Sequence, residues 1–365
     1  DYFFNQNNNS TNFKYSDLGK TIFKSKKLTR YKINEYILLE NRNLILNDIK
    51  GNIIIYSIDK EEIIGKYNFY QKRYKKINKL INLIVKDNII YANDNIGFIY
   101  AYDYNAQKIL WAKNYKKPFR SNIKLLSDKL IVSNQNNDLL ILDKYSGNLE
   151  KLIPSEETLI KNFFINNISL SKNEILYVNT FGSLYSIDKN NFKLNWFLNL
   201  NKTINLNYGN LFSGSQIVYS ENKILISSNE NFYIIDANNG SIINRKNFTL
   251  ITRPIVINNN IFSISKNNFL ISMNLKNGEI IYSYDIAKKV AVFLNSKKNK
   301  IQVKSFLIIN NEIFVFLKNS YLLKFKLNGE INEVIKLPTS LNTSPIVIDD
   351  YLLYLDNNNK LIIIN

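Results

Sequence analysis

The chain has 365 residues, a formal net charge of +18, 45% hydrophobic residues, and neither histidine nor cysteine. The lack of cysteine excludes disulfides, and the lack of histidine removes the usual general base near neutral pH and the commonest metal ligand. Apolar runs rarely exceed six or seven residues, so no transmembrane helix is expected. The length favours either two domains or one large repetitive architecture.

The positive charge has a compositional explanation, because Lys, Asn and Ile are abundant throughout the chain, as an AT-rich coding sequence would produce. Short basic clusters occur at "KSKK" (24–27), "KRYKK" (72–76) and "SKKNK" (296–300), and elsewhere the lysines are scattered. A nucleic-acid site needs basic residues gathered on one face with aromatic residues between them. We therefore expect no nucleic-acid partner, while a general affinity for anionic surfaces stays open.

The N-terminal segment divides into a polar tail and an apolar stretch. Residues 1–17 include "NQNNNSTN" (5–12) and are predicted to form a flexible, solvated tail. The stretch "KTIFKS" (20–25) is predicted to be a strand that pairs with a unit at the far end of the chain, because such pairing removes two exposed sheet edges.

From residue 51 onward the chain repeats. The repeat is marked by a residue that ends an alternating strand, as in "GFIYAYDYNAQKILW" (97–111) and "GSLYSIDKNNFKLNW" (182–196). The marker positions are Asp59, Asp103, Asp143, Asp188, Asp236, Asn274 and Lys326. Successive markers are 44, 40, 45, 48, 38 and 52 residues apart, and a last strand, "NKLIIIN" (359–365), ends the chain. The repeat predicts eight units.

Each unit reads as four short strands with period-two alternation, and no stretch shows convincing helical periodicity. Eight four-stranded units of this length predict an all-β, eight-bladed β-propeller. The last unit, from about residue 343, contains only three strands. We therefore predict a flexible tail over 1–17 and one propeller over 18–365, closed by the N-terminal strand.

The marker residues have a structural explanation. An Asp after the third strand can accept hydrogen bonds from N–H groups two or three residues further on. Glycine follows four residues later at Gly147, Gly240 and Gly278, where a positive φ is expected. Eight residues after the marker, an aromatic residue on the fourth strand can wedge between units. The predicted blade-docking residues are Asp103, Trp111, Asp143, Gly147, Asp188, Trp196, Asp236, Gly240 and Gly278.

The spacing of Ala101, Asp103 and Trp111 resembles the tryptophan-docking motif of PQQ-type propellers. Two families share this motif: the larger quinoprotein alcohol dehydrogenases, which hold PQQ and calcium, and the BamB family of envelope propeller lipoproteins. The chain is similar in length to the BamB family, over residues 20–365. That resemblance implies a non-catalytic, monomeric scaffold without cofactor. It would lie at the periplasmic face of the bacterial outer membrane and bind the barrel-assembly subunit, with any lipid anchor upstream of Asp1.

The resemblance also suggests two partner-binding loops. The first, "TINLNYGN" (203–210), offers Ile204, Leu206, Asn207 and Tyr208, with Asn207 where the family has arginine. The second lies within "FTLITRPIV" (248–256) and offers Thr249, Ile251 and Arg253, but it lacks the acidic residue of the family loop. The contact chemistry is therefore expected to differ from that of the family.

The alternatives are a PQQ-dependent dehydrogenase-like quinoprotein and a propeller that binds a ligand in its central channel. The neighbouring acids Glu61–Glu62, Glu156–Glu157 and Asp349–Asp350 would point to opposite faces of a strand or be solvated in a loop. The segment "SGS" (213–215) lacks the flanking glycines of a nucleophile elbow, and the chain has no histidine to serve it. We therefore predict no catalytic, cofactor-binding or metal-binding residues and no enzymatic activity.

Overall fold

The computed structural model describes residues 9–10, 12–34, 36–70, 73–158, 165–201, 211–295, 297 and 301–365. The chain divides into two compact units. The first contains residues 38–243, and the second contains the described part of residues 5–37 together with residues 244–365. The strands preceding the first unit are β1 (Asn9–Ser10) and β2 (Thr21–Lys27).

The first four blades are antiparallel sheets whose strands follow one another in sequence. Blade one contains β3 (Leu38–Glu40), β4 (Asn43–Asn47), β5 (Asn52–Ser57) and β6 (Glu62–Asn68). Blade two contains β7 (Ile81–Lys86), β8 (Ile89–Asp94), β9 (Phe98–Asp103) and β10 (Lys108–Asn114). Blade three contains β11 (Lys124–Leu126), β12 (Lys129–Ser133), β13 (Leu139–Asp143) and β14 (Leu149–Ile153). Blade four contains β15 (Asn167–Leu170), β16 (Glu174–Val178), β17 (Ser183–Asp188) and β18 (Leu194–Asn199).

The remaining blades repeat this order, with two N-terminal additions. Blade five contains β19 (Val218–Ser220), β20 (Lys223–Ser227), β21 (Phe232–Asp236) and β22 (Ile242–Lys246). Blade six contains β23 (Ile255–Ile257), β24 (Asn260–Ile264), β25 (Phe269–Asn274) and β26 (Ile280–Asp285), followed by helix α1 (Ile286–Phe293). Blade seven contains β27 (Val303–Ile309), β28 (Glu312–Leu317), β29 (Tyr321–Lys326) and β30 (Ile331–Lys336), with β1 beside β27. Blade eight contains β31 (Ile346–Ile348), β32 (Tyr351–Leu355), β33 (Lys360–Ile364) and β2.

The hydrophobic pattern explains the position of each strand in its blade. In β5, Ile53, Ile54 and Ile55 are fully buried, because both faces of the strand are covered. In β6, by contrast, every side chain is at least partly exposed. Second and third strands therefore form the packed layers of each blade, and the fourth strand is an outer edge. A register shift between third and fourth strands recurs in blades one to four, six and seven.

The described residues thus form the predicted eight-bladed β-propeller. The predicted closure by the N-terminal strand is confirmed, because β2 is the outermost strand of blade eight and pairs antiparallel with β33. Thr21 lies opposite Ile364 and Phe23 opposite Ile363 in this ladder.

Two features depart from the sequence expectation. Helix α1 is a local exception to the all-strand architecture, and its N-cap, Asp285, accepts a hydrogen bond from the Lys288 backbone N–H at 3.0 Å. Within the segment predicted to be a flexible tail, Phe13 is buried and pairs through its backbone with the Asn310 side chain. Leu18, at the start of the predicted propeller, is also buried against blades seven and eight. The exact domain boundaries stay a prediction.

Candidate partner-binding surface

The two tryptophans join neighbouring blades. The indole N–H of Trp111, on β10, donates to the Lys144 carbonyl of the next blade at 2.9 Å, and its ring covers Gly147. Trp196, on β18, repeats the contact by donating to the Ala237 carbonyl at 2.7 Å and covering Gly240. Trp111 is 9% exposed. Each tryptophan thus reaches across to the marker turn of the following blade.

Other side chains at the same offset make an equivalent cross-blade hydrogen bond. The hydroxyl of Tyr282 donates to the Leu327 carbonyl at 2.9 Å. The amide of Asn244 donates to the Asn277 carbonyl at 2.9 Å and covers Gly278. In these blades the side chain eight residues after the marker therefore donates a hydrogen bond to the next blade, whether it is Trp, Tyr or Asn.

The marker residues organise the turn that receives this donor. The Asp103 carboxylate accepts from the backbone N–H groups of Asn105 and Ala106 at 3.0 and 2.9 Å. Asp143 accepts from the N–H and hydroxyl of Ser146 at 2.7 and 2.6 Å.

The same geometry lowers the pKa of other marker carboxyls. Hydrogen bonds from the Asn191 and Asn190 backbone lower the pKa of Asp188. The pKa of Asp236 is lowered mainly by the Asn238 backbone N–H and further by Lys223, whose Nζ lies 3.1 Å from its carboxylate. These contacts stabilise the turn and leave the charged carboxylate in place as an acceptor.

The end of each blade opposite the marker turn can present surface loops. A fourth strand ends on the same side as the hairpin between the second and third strands, so the connection to the next blade runs beside that hairpin. The backbone contacts agree, because Lys79 donates to the Ile49 carbonyl at 2.8 Å and Phe119 to the Asp94 carbonyl at 2.9 Å. We call this side of a blade its connector end.

Most hairpins at the connector ends contain a second recurring hydrogen-bond motif, which was not predicted from the sequence. In seven of the eight blades, a polar side chain at the start of this hairpin accepts from N–H groups two to four residues later. These residues are Asp48, Asp94, Asn134, Asn179, Ser228, Ser265 and Asp356. The signal was present as a polar residue between two apolar runs, but its identity varies among Asp, Asn and Ser.

The two predicted partner loops are both connections from a fourth strand to the next blade. Residues 203–210, with Ile204, Leu206, Asn207 and Tyr208, lie outside the described residues. The second loop, 248–256, is described and connects β22 to β23. The structure therefore provides geometry for the second loop only.

The second loop is held against the hairpin between β24 and β25. Lys266 donates its backbone N–H to the Thr249 carbonyl at 2.8 Å, and Ile251 donates to the Ile264 carbonyl at 3.0 Å. The side chain of Ile251 is 41% exposed, whereas Thr249 and Arg253 are half-buried. The loop thus presents an apolar side chain on a fixed backbone.

A buried polar cluster supports the connector end of blade two. Asp94 is fully buried, accepts from the N–H groups of Ile96, Gly97 and Phe98, and receives the Tyr70 hydroxyl. Burial raises the pKa of the Asp94 carboxyl and of the Tyr70 phenol. The arrangement fixes the connection between β6 and β7.

A second polar cluster supports the connection from blade three to blade four. Glu156 accepts hydrogen bonds from Asn179, Ser183 and Tyr185 at 2.6 to 2.8 Å. Burial opposes ionisation of Glu156, but these three hydrogen bonds outweigh it and lower its pKa. Its neighbour Glu157 instead accepts from the Asn136 amide at 2.9 Å, so the two acids have separate partners.

The described residues contain neither a metal-binding cluster nor a membrane-spanning helix. No three His, Cys, Asp or Glu side chains in this part of the chain come together as a metal-binding group. No helix of the described segments has the length and apolar character needed to cross a bilayer.

The fold and the cross-blade docking define an eight-bladed propeller of the PQQ-like class. A family model described as outer membrane protein assembly factor BamB matches residues 77–284. The chain belongs to the BamB family. No curated protein sequence matches this chain significantly.

Solved structures show the same fold at low sequence identity. BamB from Moraxella catarrhalis has a TM-score of 0.70 and 12% identity, covering 93% of this chain and 98% of that one. The computationally designed Ika8 protein has a TM-score of 0.71 and 10% identity, covering 94% and 99%. The C-terminal WD40 domain of Sif2 has a TM-score of 0.66 and 11% identity, covering 96% and 99%.

Proposed function

We propose that this chain is a non-catalytic scaffold of the outer-membrane β-barrel assembly machinery. In this proposal it lies at the periplasmic face of the outer membrane and binds the barrel-inserting subunit as a monomer. The observation that carries the proposal is the match of the BamB family model to residues 77–284. The proposal is supported by the marker residues, whose hydrogen bonds go to their own turns, and by the side chains eight positions later, whose hydrogen bonds go to the neighbouring blade.

The proposed contact surface is the connector end of blade six. The loop at 248–256 is tied to the β24–β25 hairpin by backbone hydrogen bonds, so little conformational entropy is lost on binding. Ile251 offers an apolar anchor, and Arg253 adds a cation beside it. By sequence, Ile204 and Leu206 in the preceding connection supply similar apolar side chains. A partner with an apolar pocket and an acidic rim fits this chemistry.

The charge of the chain supports the same type of partner. A formal net charge of +18 attracts an acidic protein surface during diffusional encounter. Salt screens this attraction, with a Debye length of about 8 Å at physiological ionic strength. The association rate is therefore expected to fall as salt is added.

Capture of the barrel-inserting subunit from envelope extracts tests the proposal. Ile251→Asp should abolish capture, because a charge buried at an interface without a partner is costly. Ile281→Asp is a matched control, since Ile281 is 56% exposed but lies on β26, the outer strand of blade six. The double variant Ile204→Asp and Leu206→Asp tests the other loop.

The outcomes distinguish failure of the assigned contact surface from failure of the scaffold function. Wild-type capture with loss in Ile251→Asp and retention in Ile281→Asp supports the assigned surface. Equal capture by both loop variants and wild type would show that these loops are not the contact. Failure of the wild-type chain to capture the subunit, together with dye-linked dehydrogenase activity on addition of PQQ and calcium, would overturn the scaffold function itself.

A further inference from the structure

The connection between blades one and two contains the basic cluster that the partner proposal does not use. We refer to residues 73–80 as the 73–80 connector. Residues 73–78 are all exposed, and within the connector Tyr74, Ile77 and Leu80 are 39%, 46% and 47% exposed. No acidic residue occurs in the sequence between Glu62 and Asp87. Cationic and apolar side chains are therefore presented together.

Hydrogen bonds and the buried Lys79 side chain fix the backbone of the 73–80 connector. The Tyr74 carbonyl accepts from the Ile77 N–H at 3.1 Å and from the Lys79 ammonium at 2.6 Å. Lys79 is fully buried, and its ammonium lies 5.1 Å from the centre of the Tyr70 ring. The Leu80 N–H donates to the Asn95 side chain at 2.8 Å. The exposed side chains are thus carried by an ordered turn, which reduces the entropy lost on binding.

The cations on this turn have no carboxylate of their own. Within the described part of the chain, no ion pair joins Arg73, Lys75 or Lys76 to an acidic side chain. An uncompensated cluster of this kind attracts a surface that bears several negative charges. Burial of the neighbouring Ile77 and Leu80 side chains on binding would also be favourable, because it removes apolar area from water. A purely polar polyanion would not bury these side chains. The complementary partner is therefore both anionic and apolar.

Successive exposed side chains on a turn project in several directions rather than line a groove. A folded protein would need a matching cavity, whereas a fluid lipid interface accommodates such a tip directly. Interfacial segments combine Lys and Arg with aromatic and aliphatic side chains, and tyrosine is enriched at the headgroup level. We propose that the 73–80 connector binds the headgroup region of a bilayer that contains anionic phospholipid. Arg73, Lys75 and Lys76 contact lipid phosphates, and Ile77 and Leu80 enter the interface.

Vesicle flotation tests this inference with the full chain. Phosphatidylcholine vesicles with phosphatidylglycerol as the minor lipid should bind the chain, and pure phosphatidylcholine vesicles should bind it much less. Neutralisation by Arg73→Gln, Lys75→Gln and Lys76→Gln should weaken binding at least about tenfold, because each cation near an anionic surface contributes roughly a fivefold factor. Ile77→Ser with Leu80→Ser should also weaken binding while leaving the charge unchanged.

The control uses a second basic cluster with the same number of charges. Lys24, Lys26 and Lys27 are exposed on β2, and their replacement by glutamine changes the net charge by the same amount. This control variant should bind within about twofold of wild type, because the assignment gives these three lysines no contact with lipid phosphates. Equal losses in the two triple variants would show non-specific attraction and overturn the assignment.

The lack of cysteine allows a local probe as well. Ile77→Cys, labelled with an environment-sensitive dye, should show a blue shift on anionic vesicles. Leu152→Cys, at a side chain 47% exposed on β14, should not. Absence of vesicle binding, combined with loss of subunit capture in the Arg73, Lys75 and Lys76 variant, would instead assign the connector to an acidic protein surface and overturn the membrane inference.

Discussion

The ring of Trp111 lies directly over Gly147, in the marker turn of the next blade. A Cβ atom at Gly147 would collide with Cζ3 of the indole, at a separation below the 3.0 Å that real Cβ atoms essentially never cross. Gly147 also has a φ of +69°, a conformation that L side chains rarely adopt. The glycine is therefore required both by its backbone conformation and by the approach of the tryptophan.

Gly147→Ala should lower the free energy of unfolding by about 1–3 kcal/mol, because the added methyl group overpacks a closed contact. Trp111→Ala should cost about 3–5 kcal/mol, as expected for loss of a buried aromatic side chain. Denaturant unfolding of the two single variants and the double variant measures the coupling. Since the methyl group no longer meets the indole once Trp111 is gone, the double variant should be more stable than the sum predicts. Strict additivity would contradict the contact.

The completion of blade eight by β2 predicts a large effect of N-terminal truncation. Deletion of residues 1–28 removes a whole strand and the buried side chains of Phe13 and Leu18. The Tm should fall by several degrees, because loss of a few kcal/mol shifts Tm on this scale. Deletion of residues 1–8 is the control and should leave Tm nearly unchanged. An unchanged Tm after the longer deletion would show that β2 contributes little to closure.

The fold was predictable because its signal is repeated and local. The spacing from Asp103 to Trp111 recurs from Asp188 to Trp196, and the alternation of the third strands sets the phase of every blade. The target of each tryptophan was harder to predict, because Trp111 contacts a turn 36 positions further on, in another blade. A single sequence gives the spacing within one unit, but it does not show which other unit the tryptophan ring contacts.

The sequence did not predict the features that depend on tertiary contacts or on very short segments rather than on local composition. Helix α1 has only eight residues, too few for its period to stand out, although Asp285 was a potential N-cap. No sequence feature distinguishes Lys79 from the other scattered lysines, but its stem and ammonium are covered by the folded connector. Phe13 lies in a polar segment, and its burial depends on blades at the other end of the chain.

The lowered pKa of Asp236 predicts a dependence of stability on pH. A carboxyl with a folded pKa below its unfolded value, which is about 4, stabilises the fold above that value. This contribution is lost as the pH falls through the folded pKa. Asp236→Asn should still fold, since Asn274 occupies the marker position in blade six. Its unfolding free energy should decline less steeply below about pH 4 than that of wild type.

Chemical denaturation at a series of pH values measures this slope. Glu230→Gln serves as the control, because Glu230 is exposed and lies in the β20–β21 hairpin, at the connector end of blade five and so opposite the marker turn. A variant Asp236→Asn with the same acid slope as wild type would show that the marker turn does not couple to protonation.

The burial of Lys79 predicts that its replacement makes the 73–80 connector less protected from proteolysis. Lys79→Met removes the ammonium that holds the Tyr74 carbonyl and should loosen the 73–80 connector. Trypsin should then cut after Arg73, Lys75 and Lys76 several-fold faster than in wild type.

Lys50→Met is the matched control for that experiment. The Lys50 ammonium donates to the Asn78 side chain at 3.3 Å from an exposed position, so its loss should change the cleavage rate little. Mass spectrometry of early fragments identifies the cut sites. Equal cleavage of Lys79→Met and wild type would show that the backbone hydrogen bonds alone hold the connector.

The central claim is that this propeller is a binding scaffold, and titration against the purified periplasmic domains of the barrel-inserting subunit tests it most directly. Calorimetry should show saturable one-to-one binding that weakens with salt, and at least about tenfold weaker binding for Ile251→Asp, corresponding to roughly 1.4 kcal/mol. Ile281→Asp should bind as wild type does. Absence of saturable binding by the folded wild-type chain at low and physiological salt would contradict the account.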